Sequence, residues 1–342
     1  MSKTILVTGA GGFIGGHMCQ RLKDEGNYVI GVDISNHYGR HHFCNDFEWI
    51  DLREDGAVSD LAFVLVRNNV DEVYHFAADM GGMGFISANH YDILQNNLRI
   101  NLNVARALER KTDTKFLFSS SVCVYPENMQ DEDYLEVPIE MHEKYAYPAN
   151  PQDEYGWEKL TAERIFTRLG KEHGVNVHIA RFHNTYGPYG AWKGGREKAP
   201  AALCRKVAES KLRGDDPISI DVWGDGQQKR PFIYVDDTVE ACIRLMAADF
   251  HEPVNIGPSN DDIVTIDELA YCVQGISTRH TGYVLSTLEI NHVPTTAEGV
   301  RSRGASNDLL QQVLGWKPQV SLSEGLYHTY QWIEEQVQLS ME

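Results

Sequence analysis

The sequence predicts an α/β fold: a doubly wound parallel sheet followed by a smaller C-terminal α/β domain. Three observations carry that prediction. Through the first 185 residues, short apolar runs alternate with helical stretches, the rhythm of βαβ units. Several of these runs are apolar on both faces, as a parallel sheet covered by helices requires. The first run leads straight into a turn with glycines at 9, 12 and 15, and then into a helix.

Ile5–Thr8 is the first strand. Gly9 permits a tight turn, Gly12 lets a diphosphate approach the backbone, and Gly15 allows close helix–strand packing. The helix N-terminus then offers free N–H groups to the diphosphate. This turn marks a Rossmann dinucleotide site. Val29–Asp33 is the second strand, and it ends on a carboxylate 24 residues after Gly9. There Asp33 can bind a ribose diol and repels a 2′-phosphate, so NAD is expected rather than NADP. The plainer reading of Asp33 is a turn-forming aspartate.

Glu48–Asp51, Val73–Ala77, Lys115–Ser119 and Val177–Phe182 are the further strands. Of the intervening helices, one carries two apolar stripes: Leu94, Leu98, Ala105 and Leu108, and Ile93, Ile100, Val104 and Ala107. Such a helix is core, or packs one side on a partner subunit. Another carries one stripe, Ala162, Ile165, Phe166 and Leu169. Beyond residue 185 the chain reads as a loop over 187–200, a helix from about Ala201, a strand and helix start at 232–237, and a strand at 253–257. The expected division is a dinucleotide-binding domain over 1–185 and a substrate domain over 186–342, with the chain returning to the first domain at about 232–258. There is no internal repeat and no low-complexity tract.

The chain has 342 residues and a net charge of −18, which disfavours nucleic acid and anionic membrane surfaces as partners. No apolar run is long enough for a membrane span, and no signal-peptide pattern precedes the first strand. Six scattered cysteines without a Cys-x-x-Cys read as reduced thiols in a cytoplasmic protein. No metal site is expected. Between Lys193 and Arg213 seven basic residues face two acidic ones. This island is either an anion site or a solvated helix face.

The chemistry lies in Tyr155 and Lys159, one helical turn apart, with Ser121 upstream, just after a strand. A free phenol titrates near pH 10, about three units too high for a base at neutrality. A neighbouring ammonium and a nicotinamide's positive charge are expected to lower it, with Ser121 holding the substrate hydroxyl. A dinucleotide turn, a serine after a strand and Tyr-x-x-x-Lys, in that order, describe hydride transfer.

This arrangement resembles the extended short-chain dehydrogenase/reductase family, whose members act mostly on nucleotide sugars. Within it, five segments resemble the branch of GDP-mannose 3,5-epimerases: 76–86, 125–127, 151–153, 181–184 and 192–200. The resemblance spans about Thr4 to Ile333. It implies epimerisation of GDP-mannose at C3 and C5, to GDP-L-galactose and GDP-L-gulose, by a homodimeric enzyme of the racemase and epimerase class that uses NAD. It also implies that Tyr155, Lys159 and Ser121 serve redox at sugar C4, while Cys123 and Lys198 are the acid/base pair. NAD would be held by Gly9, Gly12, Phe13, Ile14, Gly15, Asp33, Asp51, Leu52, Ala77, Tyr155 and Lys159. The sugar nucleotide would be held by Gly81, Ser121, Cys123, Asn184, Glu197, Lys198, Ala199, Lys206, Gln228, Lys229, Arg230 and Arg303. Oxidation at C4 acidifies the C–H bonds at C3 and C5, and inverting each centre needs two opposed proton carriers.

From residue type alone, Cys123 reads as a small core residue and Lys198 as a diphosphate ligand. The rival enzymes are a nucleotide-sugar 4,6-dehydratase and a 4-epimerase. The dehydratase pattern places Asp-Glu after the serine, where this chain has Val122 and Cys123. A non-enzymatic NAD-sensing scaffold is the reading from another class, and retention of Ser121, Tyr155 and Lys159 together argues against it.

Overall fold

The computed structural model describes residues 2–130, 140–258, 263–279, 287–294 and 300–341. Its strands in chain order are β1 (Thr4–Thr8), β2 (Tyr28–Asp33), β3 (Asp46–Trp49), β4 (Glu72–His75), β5 (Lys115–Ser121), β6 (Asn176–Phe182), β7 (Asn184–Tyr186), β8 (Ile218–Trp223), β9 (Lys229–Tyr234), β10 (Val254–Ile256), β11 (Ile263–Thr265) and β12 (Leu288–Val293). The helices are α1 (Phe13–Asp24), α2 (Ala57–Arg67), α3 (Met83–Ala88), α4 (His90–Leu108), α5 (Glu154–His173), α6 (Ala199–Arg213), α7 (Val235–Ala247), α8 (Ile266–Arg279), α9 (Asp308–Leu314) and α10 (Leu322–Met341).

Among the described residues, seven parallel strands form the main sheet, in the order β10-β6-β5-β4-β1-β2-β3. Strand order reverses between β1 and β4, so a crevice opens there at the carboxyl ends of the strands. One face is covered by α2, α4 and α5 through Leu61, Val64, Ile100, Val104 and Phe166. The other is covered by α1, α7 and α9 through Met18, Leu22, Val239, Leu245 and Leu310. A further core gathers Leu203, Val207, Ile220, Phe232, Leu269 and Tyr330 from α6, β8, β9, α8 and α10.

Several boundaries differ from expectation, and β5 runs on to Ser121 rather than ending at Ser119. β3 lies two residues earlier than Glu48–Asp51, because the Asp51 carboxylate accepts from the Arg53 backbone N–H and guanidinium in a turn. β4 ends at His75 rather than Ala77, where the chain leaves the sheet to pass beside Gly9. α6 starts at Ala199, since Pro200 needs no N–H partner in a first turn. On α4 the stripe of Ile93, Ile100, Val104 and Ala107 is buried, while Leu94 and Leu98 are half-buried. No helix among the described residues is long and apolar enough to cross a membrane.

Candidate active site

The crevice between β1 and β4 is shaped by glycine. A Cβ on Gly15 would lie 2.1 Å from the Gly9 carbonyl oxygen, and one on Gly9 would lie 2.8 Å from the Ala77 nitrogen. Gly9 also has φ +73°, which L side chains rarely adopt. The turn therefore runs close under the N-terminus of α1, which begins with Phe13, Ile14 and Gly15. Asp33 Oδ2 accepts from Gly11 N–H at 2.9 Å, and its Oδ1 accepts from Ser35 N–H at 3.0 Å. These residues fit NAD: a side-chain-free cradle, a helix N-terminus and a strand-end carboxylate together. Asp51 and Leu52 follow β3 on the same edge of the sheet, and Asp51 is paired with Arg53.

α5 presents the tyrosine and lysine. Asp153 caps it, accepting from Gly156 N–H at 2.9 Å, and Gly174 ends it in a left-handed turn. Tyr155 and Lys159 are both buried. The Tyr155 hydroxyl is hydrogen-bonded to Ser121, yet burial, the charge of Cys123 and that of Glu158 push the phenol well above its ordinary value. The expected lowering by Lys159 is thus not delivered by the protein alone. The Lys159 ammonium lies 4.9 Å from the Phe118 ring centroid, 5.7 Å from that of Tyr155 and 3.9 Å from Glu158 Oε1.

Behind this pair runs a buried polar chain. Thr8 Oγ1 and His75 Nδ1 are 2.6 Å apart, His75 Nε2 and Asn101 Oδ1 are 3.0 Å apart, and Asn101 donates to Glu158 Oε1 at 2.8 Å. Burial pushes His75 down to about 3, so the imidazole is neutral. Burial pushes Glu158 up to about 7, against the opposing charge of Lys159.

The segment carrying Ser121 and Cys123 is pinned on both sides. Ser120 donates to Glu163 Oε1, and Arg181 grips the same carboxylate at 2.8 and 2.7 Å. Tyr125 donates to Asn255 Oδ1 at 2.6 Å. Between these anchors the Ser121 side chain accepts from Cys123 N–H at 3.1 Å. Cys123 is the hub of the site. Its sulfur accepts from Arg303 Nη1 at 2.7 Å, and its charge acts on Tyr155, Lys198 and Arg230. Lys198 stands at the N-terminus of α6, half-buried. Burial pushes its ammonium below the ordinary value, Cys123 opposes that shift, and Arg303 adds to it. Burial and Arg303 likewise push Arg230 down to about 9.

Cys123 thus lies within electrostatic reach of both Lys198 and Tyr155, and Tyr155 is bonded to Ser121 at the carboxyl end of β5. The family described as "NAD dependent epimerase/dehydratase family" matches residues 5–257. A GDP-mannose 3,5-epimerase 1 of Oryza sativa subsp. indica is 44% identical over 98% of this chain and 82% of its own length. The chain belongs to this family, on its GDP-mannose 3,5-epimerase branch. The GDP-mannose 3,5-epimerase of Arabidopsis thaliana is also 44% identical, over 98% of this chain and 83% of its own. Among solved structures, a UDP-glucose 4-epimerase of Thermotoga maritima with UDP-glucose is 25% identical, with a TM-score of 0.82 over 98% of this chain and 99% of that one.

Within this epimerase-family site, the structure gathers Ser121, Cys123, Tyr155, Lys159, Lys198, Arg230 and Arg303. The other expected substrate residues are placed on neighbouring elements of the chain. Gly81 precedes α3, and Asn184 opens β7. Gln228 and Lys229 lead into β9, where Arg230 donates to the Val300 and Lys229 carbonyls. Lys206 sits two turns along α6 from Lys198, with its ammonium on the Asp221 carbonyl at 2.6 Å. The Glu197 carboxylate turns back on its own segment, accepting from Gly195 N–H at 2.7 Å and from Arg205 at 3.3 Å, while Ala199 starts α6. Sequence reasoning missed Glu158, His75 and Asn101, which no local spacing marks. Adjacency to Lys159 was the one available signal for Glu158.

Proposed function

We propose that this chain epimerises GDP-mannose at C3 and C5, with the site residues acting as follows. Bound at the glycine-lined crevice, NAD would supply the hydride acceptor, and then the hydride donor, for sugar C4. Tyr155 accepts the C4 hydroxyl proton, Ser121 orients that hydroxyl, and Lys159 supplies positive charge beside the phenol. Cys123 and Lys198 exchange protons at C3 and C5. Their approach from separate segments, the end of β5 and the start of α6, is the observation that carries the reading. It suits a ring held between them. The depressed Lys198 also leaves more neutral amine available to take a proton near pH 7. A 4-epimerase would have no use for this second pair.

Residues 1–185 are the NAD-binding domain in this reading, with β10 adding to the same sheet, and 186–342 hold the GDP-sugar. Gly9, Gly12, Phe13, Ile14, Gly15, Asp33, Asp51, Leu52 and Ala77 hold NAD. Gly81, Asn184, Glu197, Ala199, Lys206, Gln228, Lys229, Arg230 and Arg303 hold the nucleotide sugar. GDP-L-galactose is the product, with GDP-L-gulose beside it. We assign the enzyme to the cytoplasm as a homodimer. The buried, unbridged Cys19, Cys44, Cys204 and Cys242 suit a reducing compartment. Exposed Leu102 on α4 and Trp157 on α5 suit a subunit contact on these packed helices.

The test is turnover. Purified protein is incubated separately with GDP-mannose and UDP-glucose, and products are resolved by NMR. Conversion of GDP-mannose to C3,C5-inverted sugars supports the assignment. Inversion at C4 alone, on either substrate, contradicts it.

A further inference from the structure

Two segments far apart in sequence meet at Arg196, two residues before Lys198. The Arg196 guanidinium lies over the Phe85 ring, with Cζ 3.7 Å from the centroid. The same group donates from Nη1 to Asp79 Oδ1 at 2.9 Å and to the Met80 carbonyl at 3.0 Å. Its backbone carbonyl accepts from Gly82 N–H at 2.9 Å. The approach at Gly82 is tight: a Cβ there would lie 2.3 Å from the Glu197 carbonyl oxygen.

The far side of this contact is rigid. Asp79 N–H donates to Asn97 Oδ1 at 2.6 Å, Asn97 donates back to the Asp79 carbonyl at 3.1 Å, and Asn96 donates to Asp79 Oδ2 at 3.1 Å. Both asparagines belong to α4, in the helix layer of the main sheet. Phe85 in turn packs with Met80 and Cys123 on a cluster of Ile86, Ile93 and Tyr155. Upstream, Gly194 and Gly195 have φ +89° and +86° and open space where a Cβ would stand. The Lys198 segment is thus attached, through the Arg196 side chain and carbonyl, to the wall that bears Tyr155 and Cys123.

We propose that Arg196 is a positioning residue for Lys198, clasping its segment through Asp79, Met80 and Phe85 so that the amine faces the same ring as Cys123. The proposal rests on the reading of Lys198 as a proton carrier. It assigns Arg196 no contact with substrate: its guanidinium is occupied by the wall.

The experiment compares wild type, Arg196→Ala, Arg196→Lys and Asp79→Asn, each checked for NAD content and by circular dichroism, with GDP-mannose in D₂O. Two signals are followed: deuterium entering C3 and C5, and the absorbance of reduced nicotinamide on mixing. A misplacement near 1 Å costs roughly 10²-fold in rate. Arg196→Ala should lose exchange on that scale while cofactor reduction persists, because Tyr155 is untouched. Arg196→Lys should recover part of the exchange, keeping the ion pair and losing the planar stack. Asp79→Asn should fall between them. Exchange within twofold of wild type in Arg196→Ala overturns the proposal, as does parallel loss of exchange and cofactor reduction. Wild type that forms no exchanged product overturns the functional reading itself, a failure visible before any variant is compared.

Discussion

Arg303 Nη1 donates a hydrogen bond to the Cys123 sulfur at 2.7 Å, across 180 residues of chain. The guanidinium is itself oriented by Gln130 at 2.8 Å and Gln152 at 3.3 Å. A planar cation held in this way fixes the thiol's place. Arg303→Ala should therefore slow proton exchange as well as weaken binding. Cys123→Ser should slow deuterium incorporation at C3 and C5 by roughly 10²-fold or more, since a hydroxyl is a much weaker acid than a thiol. Wild-type exchange in Cys123→Ser would reduce Cys123 to packing.

Tyr155→Phe removes one hydroxyl from a buried helix position and should spare the fold. Turnover should drop roughly 10²- to 10⁴-fold, the span of a lost acid/base group. A folded variant with less than a tenfold loss would remove Tyr155 from the mechanism. Steady-state kinetics with GDP-mannose, beside circular dichroism, gives the answer.

Glu158 predicts a stability change with pH. Burial lifts its carboxyl from an ordinary 4.5 to about 7. Between those values the native state holds a proton that the unfolded chain has released. Its stabilising contribution is thus full below pH 4.5 and declines as pH rises through 7. The change is on the order of 3 kcal/mol at most. His75 works in the opposite sense: pushed down to about 3, it favours the fold above pH 6.5 and costs stability as pH falls. Glu158→Gln should remove the decline between pH 4.5 and 7 while leaving the His75 part. Denaturant unfolding at pH 5, 6, 7 and 8 isolates the difference, and equal pH slopes in both proteins would refute it.

The sheet was legible because its signals are local. Ile5–Thr8 followed by glycines 9, 12 and 15 specifies strand, turn and helix within a dozen residues. Tyr155 and Lys159 share a helix face by spacing alone. Boundaries blurred where side chains took over, as at Asp51, which turns to Arg53 and ends β3 early. What stayed hidden were the long-range polar contacts. Nothing in sequence spacing joins Arg303 to Cys123, Arg196 to Asp79, or His75 through Asn101 to Glu158. Each depends on segments distant in sequence that the fold brings together, and no periodicity records such a meeting.

The central claim is that proton exchange occurs at C3 and C5, and hydride is merely borrowed at C4. Incubation of the protein with GDP-mannose in D₂O, followed by NMR of the recovered sugar nucleotides, tests it most directly. The account predicts deuterium at C3 and C5 of the epimerised products and none at C4. Products inverted at C4, or inverted at C3 and C5 without deuterium, would contradict it.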